Sequence, residues 1–150
     1  MTPAQRAAAP AEATGGGRRV VNPWSWQDNF GFVQAHEIAG AGRTIFCAGQ
    51  TSVDDDGRPL HDGDIRAQIE QAFDNLEAVL SAADARLGDV VRLTYFTPDV
   101  AALLGAWDLI AARLARAECR PASTLLGVQA LAFPELLVEI EATAVAGPPW

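Results

Sequence analysis

The amino-acid sequence predicts an α+β domain in which two helices pack on one face of a single sheet, with the element order ββαβαββ. Two observations lead to this fold class. Two long segments carry apolar residues at steps of three and four, which is the spacing of a helix with one buried side. Short stretches rich in β-branched and aromatic residues surround these segments and are typical of strands.

The opening pair of strands is predicted at Phe32–Ala39 and Arg43–Gln50, two short segments in which apolar and polar residues partly alternate. The residues "GAG" separate them, so the pair is predicted to form a β-hairpin. The segment that follows, "DDDGRPLHDGD", is rich in turn residues and predicts a loop.

The first helix is predicted to begin at Ile65, with Asp64 as its N-cap, because an Asp side chain there accepts a hydrogen bond from the first turn. Its apolar stripe consists of Ile65, Ile69, Ala72, Phe73, Leu76, Val79, Leu80 and Ala83. A strand is predicted next, at Asp89–Thr97, where β-branched and aromatic residues dominate.

The second helix is predicted to follow Asp99, which is its expected cap. Its apolar face consists of Val100, Leu103, Leu104, Trp107, Ile110, Ala111 and Leu114. Two strands, "STLLGVQAL" and "LLVEIEATAV", close the chain around "AFPE".

The last strand has one apolar face and one mixed face. Side chains alternate along a strand, so one side carries Val138, Ile140, Ala142 and Ala144. The other side carries Leu137, Glu139, Glu141, Thr143 and Val145. Apolar residues mixed with two carboxylates favour cover by a partner subunit, so we expect an oligomer.

Composition limits the classes of function. With 150 residues, 49% hydrophobic and 20% charged, the chain has the make-up of one ordinary globular domain. The net charge is −8 and all eleven basic residues are arginines, which excludes Schiff-base chemistry through a lysine of this chain. The acidic surface also argues against nucleic acid as a partner.

Residues 1–19 are rich in Ala, Pro and Gly and predict a disordered N-terminal tail, with a single domain over residues 20–150. The tail has no apolar core of signal-peptide length, and no apolar run has the length of a membrane span. Cys47 and Cys119 form no paired motif. We therefore expect a cytoplasmic protein with two reduced thiols and no contact with a membrane.

Neither a metal nor an organic cofactor is expected. His36 has no further metal ligands at a suitable spacing, and "GAG" lacks the context of a phosphate-binding loop.

An ordered set of motifs within Gly31–Val145 resembles the Rid family, the YjgF-type family of reactive-intermediate imine/enamine deaminases. The motifs are "GFVQA", "FCAGQ", "QIEQAFDNLEAVL", "GDVVRLTYFTPDV", "RPASTLLGV" and "VEIEATAV". The resemblance implies a chorismate-mutase-like α+β fold. It also implies a homotrimer whose sheets face inward, with a ligand cleft at each subunit interface.

The resemblance further implies a site that departs from the family pattern. In deaminating members, an arginine in "PARS" or "PART" holds the substrate carboxylate, and a glutamate on the last strand positions a water. Here Ser123 stands at the arginine position, whereas Glu139 keeps the glutamate. Phe32, Ala48 and Leu125 replace a frequent tyrosine, serine and cysteine. The resemblance thus implies a diverged member of the family without the carboxylate-binding arginine.

Glu139 is the candidate catalytic residue; the alternative is a carboxylate satisfied by backbone donors or by an interface arginine. The candidate substrate-binding residues are Phe32, Ala48, Gly49, Arg120, Ser123, Thr124 and Leu125. Two alternatives stay open for this set. "PAST" can be an ordinary turn into a strand, and Arg120 can be a solvated loop residue.

The aromatic segment "NPWSWQDNFGF" also has two interpretations. Trp24, Trp26, Phe30 and Phe32 can form a wall over a planar ligand or pin the N-terminal segment to the domain. Tyr95 is expected to pack in the core or an interface.

Three functions are consistent with these observations. The first is an enzyme that hydrolyses, deaminates or otherwise transforms a small imine- or enamine-like metabolite, without a carboxylate at the Ser123 position. The second is a non-catalytic trimer that binds a small molecule or regulates another process through the same clefts. The third, an endoribonuclease, is disfavoured by the acidic, lysine-free composition.

Overall fold

The computed structural model describes residues 13–14, 17–23, 25–26, 28–33, 35–40 and 42–147. Seven strands and three α-helices lie in these ranges. The strands are β1 (Ala13–Thr14), β2 (Arg18–Val21), β3 (Ala35–Ile38), β4 (Arg43–Thr51), β5 (Val90–Thr97), β6 (Ala122–Gly127) and β7 (Glu139–Ala146). The helices are α1 (Ile65–Ala82), α2 (Val100–Gly105) and α3 (Trp107–Arg116).

The main sheet has the strand order β4-β7-β5-β6. Strand β7 pairs antiparallel with both β4 and β5, whereas β5 and β6 run parallel. The helices cover one face of this sheet, and the core between them includes Ile69, Phe73, Leu76, Leu93, Ile110, Leu114 and Ile140. The predicted α+β class with helices on one face is therefore confirmed.

The alternation predicted for the last strand is also present. Val138, Ile140, Ala142 and Ala144 are buried toward the helices. The intervening residues face away from the core and remain partly or fully exposed. In the described part of the single chain, the second face of the sheet is thus bare along β7.

The predicted hairpin is wrong. β3 pairs antiparallel with β2 in a separate small sheet of order β1-β2-β3, where His36 lies opposite Val20. β4 pairs instead with β7, with Cys47 opposite Ala142. Alternation and a glycine turn predict two strands without specifying their partners. β4 brings the buried Cys47 to the core, whereas β3 has no comparably buried face.

The small sheet includes residues that precede the predicted domain boundary at residue 20. Ala13–Thr14 and Arg18–Arg19 belong to strands β1 and β2, whereas residues 1–12 and 15–16 of the predicted tail lie outside the described residues. The disordered tail and the domain boundary stay predictions. Arg18 pairs with Ile38 in the small sheet, and its Nη1 donates to the carbonyl of Gly88 at 3.5 Å.

Both predicted helix caps are present. Asp64 Oδ1 accepts from the N–H of Ala67 at 3.0 Å, and Asp99 Oδ1 accepts from the N–H of Ala102 at 2.9 Å. The predicted second helix is interrupted, because Ala106 leaves helical geometry with φ −108° and ψ 11°. The preceding Gly105 has a low helix propensity, which favours a break at this point. In the part of the chain with described structure, no helix combines the length and apolarity needed to cross a membrane.

Candidate functional site

Ser123 and Glu139 lie on opposite faces of the main sheet. In the parallel register of β5 and β6, Ser123 is opposite Leu93, which is fully buried on the helix side. Glu139 is opposite Phe96 and precedes the buried Ile140, so its side chain is on the bare outer face. Within one chain, the candidate residues therefore form two separate groups.

The first group lines a pocket on the helix side, which we call the aromatic pocket. Its volume is about 260 Å³, and its lining residues are Trp26, Phe30, Phe32, Tyr95, Leu104, Trp107, Ser123, Thr124 and Leu125. Four of the predicted substrate-binding residues, Phe32, Ser123, Thr124 and Leu125, are in this set. Two further residues line the pocket: Tyr95, which was expected to pack in the core or an interface, and Trp107, which was expected on the apolar face of the second helix or at a cleft edge.

The aromatic wall of this pocket belongs to the N-terminal segment. The ring centroids of Trp26 and Phe32 are 5.7 Å apart in an edge-to-face arrangement, and those of Tyr95 and Trp107 are 5.1 Å apart. Trp107 Nε1 donates to the carbonyl of Phe30 at 3.2 Å, which joins the segment to α3. These contacts agree with the interpretation that the aromatic residues pin the N-terminal segment to the domain, whereas a wall over a planar ligand stays a prediction. Trp24 lies outside the described residues.

Arg120 also holds this segment. Its Nη2 lies 2.8 Å from Oδ1 of Asp28, and both side chains are about half exposed. The backbone N–H of Val33 donates to the carbonyl of Pro121 at 2.9 Å, beside this ion pair. Arg120 does not belong to the lining of the aromatic pocket.

Two buried hydroxyl groups lie at the inner end of the aromatic pocket. The oxygens of Tyr95 and Ser123 are both buried without a hydrogen bond of good geometry. Burial raises the pKa of Tyr95, although the nearby Ser123 hydroxyl lowers it by a smaller amount. The Tyr95 hydroxyl therefore stays protonated and can donate a hydrogen bond.

The second group lies in a groove on the outer face, which we call the carboxylate groove. Its volume is about 290 Å³, and it is lined by Phe96, Val128, Ala130, Leu131, Ala132, Glu139 and Glu141. Glu139 packs against Gly49: a Cβ built on that glycine would overlap Oε1 and lie 2.7 Å from Cδ. Ala48 and Gly49 lie where the register between β4 and β7 shifts, between Cys47 and Gln50.

Gln68 anchors the loop before β7, part of which lines the carboxylate groove. Its Nε2 donates to the carbonyls of His61 at 3.0 Å and Glu135 at 2.7 Å. Its Oε1 accepts from the N–H of Leu137 at 2.7 Å. Because Gln68 is fully buried, these bonds hold the start of β7 against α1. Gln68 was not among the predicted site residues, since a polar residue inside a helical stripe carries no local signal of its partners.

The outer face also exposes a large apolar side chain. Phe46 on β4 is opposite Thr143 and is 82% exposed. It lines a further groove of about 210 Å³ with Cys47, Arg92, Thr94, Glu141, Ala142 and Thr143.

The cysteines do not offer a reactive thiolate. Burial raises the pKa of the Cys47 thiol, and it raises the pKa of Cys119 to about 12. Among the described residues, no three His, Cys, Asp or Glu side chains group as a metal site would require.

Comparisons with known proteins assign the chain and its fold to a family. The model of the family described as Endoribonuclease L-PSP matches residues 29–146. A RutC family protein of Pyrococcus horikoshii is 33% identical over 104 residues, which cover 69% of this chain and 80% of the relative. A 2-iminobutanoate/2-iminopropanoate deaminase of Dermatophagoides farinae is 34% identical over 55 residues, covering 37% of this chain and 43% of that protein.

A solved structure shares nearly the whole architecture. The Rid family protein YyfB of Yersinia pestis superimposes with a TM-score of 0.75 and 39% identity, covering 87% of this chain and 99% of that one. The chain belongs to the Endoribonuclease L-PSP family, the family of the RutC, YjgF and Rid proteins. The resemblance found in the sequence motifs is thereby confirmed.

Proposed function

We propose that this protein is an enzyme that hydrolyses a small imine or enamine, with Glu139 activating the attacking water. The observation that carries this proposal is the packing of the Glu139 side chain against Gly49 in an open groove. Membership of a family that includes a protein named as an iminobutanoate and iminopropanoate deaminase supports this class of reaction.

The proposed enzyme is a homotrimer with its active sites between protomers. Ser123 and Glu139 lie on opposite faces of one sheet, so a cleft that contains both takes them from two protomers. The outer face has Phe46 82% exposed, and covering it would remove apolar surface from water. The trimer, like a cytoplasmic location, is a prediction of the sequence analysis.

The proposed chemistry requires only proton transfers. Glu139 takes a proton from water as the hydroxide adds to the imine carbon. The electron pair of the C=N bond moves to nitrogen, and the carboxylic acid gives its proton to that nitrogen, which leaves a neutral carbinolamine. The carboxylate then takes the hydroxyl proton and passes it to the nitrogen, so that the carbonyl forms as the C–N bond breaks and ammonia leaves. A carboxylate within reach of the water supplies such a step without a cofactor.

A pair of variants tests the catalytic role. Glu139→Gln keeps size and hydrogen bonding but cannot carry the proton, so imine hydrolysis falls by about 10²- to 10⁴-fold. Glu141→Gln alters the neighbouring outward carboxylate of the same strand and has a much smaller effect. Light scattering should give trimers for both. Full activity of Glu139→Gln, or a monomer of the wild-type chain, would contradict the proposal.

A second candidate function is small-molecule binding without catalysis. The uncharged lining of the aromatic pocket, with Ser123 in place of the family arginine, favours it. Incorporation of oxygen from labelled water into the product distinguishes an enzyme from a binding protein. The family description also names an endoribonuclease, but the net charge of −8 argues against RNA binding at physiological salt. A salt-dependent RNA titration checks this.

A further inference from the structure

The aromatic pocket combines apolar walls with a polar inner end and no charge. Nine described residues line it. Four are aromatic residues other than Tyr95, three (including Tyr95) carry a hydroxyl group, and none is ionised at neutral pH. Trp26 and Phe30 are 59% and 45% exposed, so the outer edge of the pocket is open to solvent.

The two hydroxyls at the inner end have unused hydrogen-bonding capacity. Tyr95 is completely buried, and its hydroxyl interacts with that of Ser123, although not in good hydrogen-bond geometry. Because each hydroxyl has one hydrogen to donate, a bond between the two would still leave one O–H without an acceptor among the described residues. A buried hydroxyl without a hydrogen bond is unfavourable, so a ligand atom that provides one is favoured.

We propose that the aromatic pocket binds a small, uncharged aromatic molecule whose single carbonyl- or imine-like group is hydrogen-bonded by Tyr95 and Ser123. The proposal rests on the proposed function, because it names the substrate class of that cleft as a neutral aryl imine. The ring lies among Trp26, Phe32 and Trp107, where its faces meet other aromatic side chains.

The size and charge of the pocket both restrict the ligand. An apolar cavity of about 150 Å³ can hold benzene, so the 260 Å³ here suits one ring with a short substituent. Among the described lining residues of one chain, none is a cation that could pair with a buried carboxylate. The nearby Arg120 directs its guanidinium to Asp28 and is not part of the lining.

Calorimetric titration of the full-length protein with three probes tests the ligand class. Acetophenone is the ketone that a neutral aryl imine would release. Phenylglyoxylate replaces its methyl group by a carboxylate, and toluene lacks any hydrogen-bond acceptor. We expect acetophenone to bind at least about 10-fold more tightly than phenylglyoxylate. Equal or tighter binding of phenylglyoxylate overturns the proposal.

Single-atom variants test the two hydroxyls. Tyr95→Phe and Ser123→Ala should each weaken acetophenone binding by about 2- to 10-fold, the effect of one neutral hydrogen bond, and leave toluene binding unchanged. Ser81→Ala, which removes an exposed hydroxyl of α1, is the matched control and should change nothing. Wild-type affinity for acetophenone in both pocket variants overturns the assignment.

Binding and turnover separate this inference from the proposed function. If acetophenone binds as expected but Glu139→Gln hydrolyses imines normally, the catalytic proposal fails and the ligand class stands. If imine hydrolysis depends on Glu139 but phenylglyoxylate is the preferred probe, the ligand class fails and the catalytic proposal stands.

Discussion

The side chain of Glu139 lies directly against Cα of Gly49, across the boundary between β7 and β4. A methyl group on Gly49 would overlap Oε1 and lie 2.7 Å from Cδ. The backbone of Gly49 is not in the left-handed region, in contrast to Gly57 and Gly63, for which positive φ values are recorded. The glycine therefore provides space for the carboxylate and is not required by the backbone conformation.

Gly49→Ala should abolish activity that depends on Glu139 and leave the fold intact. The new methyl group displaces the carboxylate from its position, and alanine tolerates the backbone conformation. We expect imine hydrolysis to fall nearly as far as in Glu139→Gln, with an unchanged circular dichroism spectrum. Gly105→Ala is the control, because nothing lies within 4 Å of its Cβ position. It should keep full activity and gain up to about 1 kcal/mol of stability. Normal turnover by Gly49→Ala would show that the position of Glu139 is unimportant.

The protein should be a poor enzyme for 2-imino acids such as the one derived from alanine. Ser123 cannot make the two parallel bonds by which a guanidinium holds a carboxylate. Each missing charge-assisted bond costs about 1.5–3 kcal/mol, or about 10- to 150-fold in affinity. The measurement is kcat/KM beside a relative that has the arginine, on the same imino acid. Comparable values would mean that another residue binds the carboxylate, and Arg120→Ala would then be the first variant to examine.

Gln68→Leu should destabilise the domain by about 2–4 kcal/mol, because three buried backbone groups lose their partners. Chemical denaturation measures the change. Gln71→Leu is a suitable control, since Gln71 Nε2 donates to Oδ1 of Asn75 on the same helix and not to a loop carbonyl. We expect Gln71→Leu to cost less than about 0.5 kcal/mol. Equal effects of the two variants would contradict the anchoring role of Gln68.

Stability should decrease as the pH falls below about 6.5, in part through His36. Burial lowers the pKa of His36 from its ordinary value of 6.5, and the neighbouring Arg18 and Arg120 lower it further, against a hydrogen bond with the carbonyl of Arg120. The unfolded chain therefore takes up the proton more readily. The contribution to stability is complete above pH 6.5 and is lost as the pH falls through the lowered value.

Urea unfolding at about pH 7.5 and about pH 5.5 measures this effect. His36→Gln should reduce the difference between the two conditions. His61→Asn, at a residue with φ of 61° that asparagine tolerates, should keep the wild-type difference. An unchanged difference in His36→Gln would assign the pH dependence to other groups.

Local patterns predicted much of the main fold. The spacing of apolar residues located both helical segments, and the caps Asp64 and Asp99 follow from side chains that can reach the first-turn N–H groups. The alternation on β7 separated Ile140, which is buried, from Glu139, which is not. These features depend on residues that are close in sequence, so the amino-acid sequence alone is sufficient to predict them.

Local patterns did not predict which strands pair or which residues come together in each site. The hairpin between β3 and β4 failed because pairing depends on which distant strand offers a complementary face; β7 lies almost a hundred residues after β4. Likewise, no local pattern joins Trp26 to Tyr95 and Ser123, or Gly49 to Glu139. Those contacts form only when the sheet is assembled.

The sequence by itself determined the fold class and the family, whereas the candidate glutamate and the replacement of the family arginine by Ser123 are predictions made from it. Only the tertiary structure decided that Ser123 and Glu139 face opposite sides of the sheet, since side-chain direction there depends on register across three strands. It also decided that Arg120 pairs with Asp28 and that the buried hydroxyls of Tyr95 and Ser123 meet at one pocket. Burial and pairing are properties of the packed chain, because they depend on residues that folding brings together from distant positions.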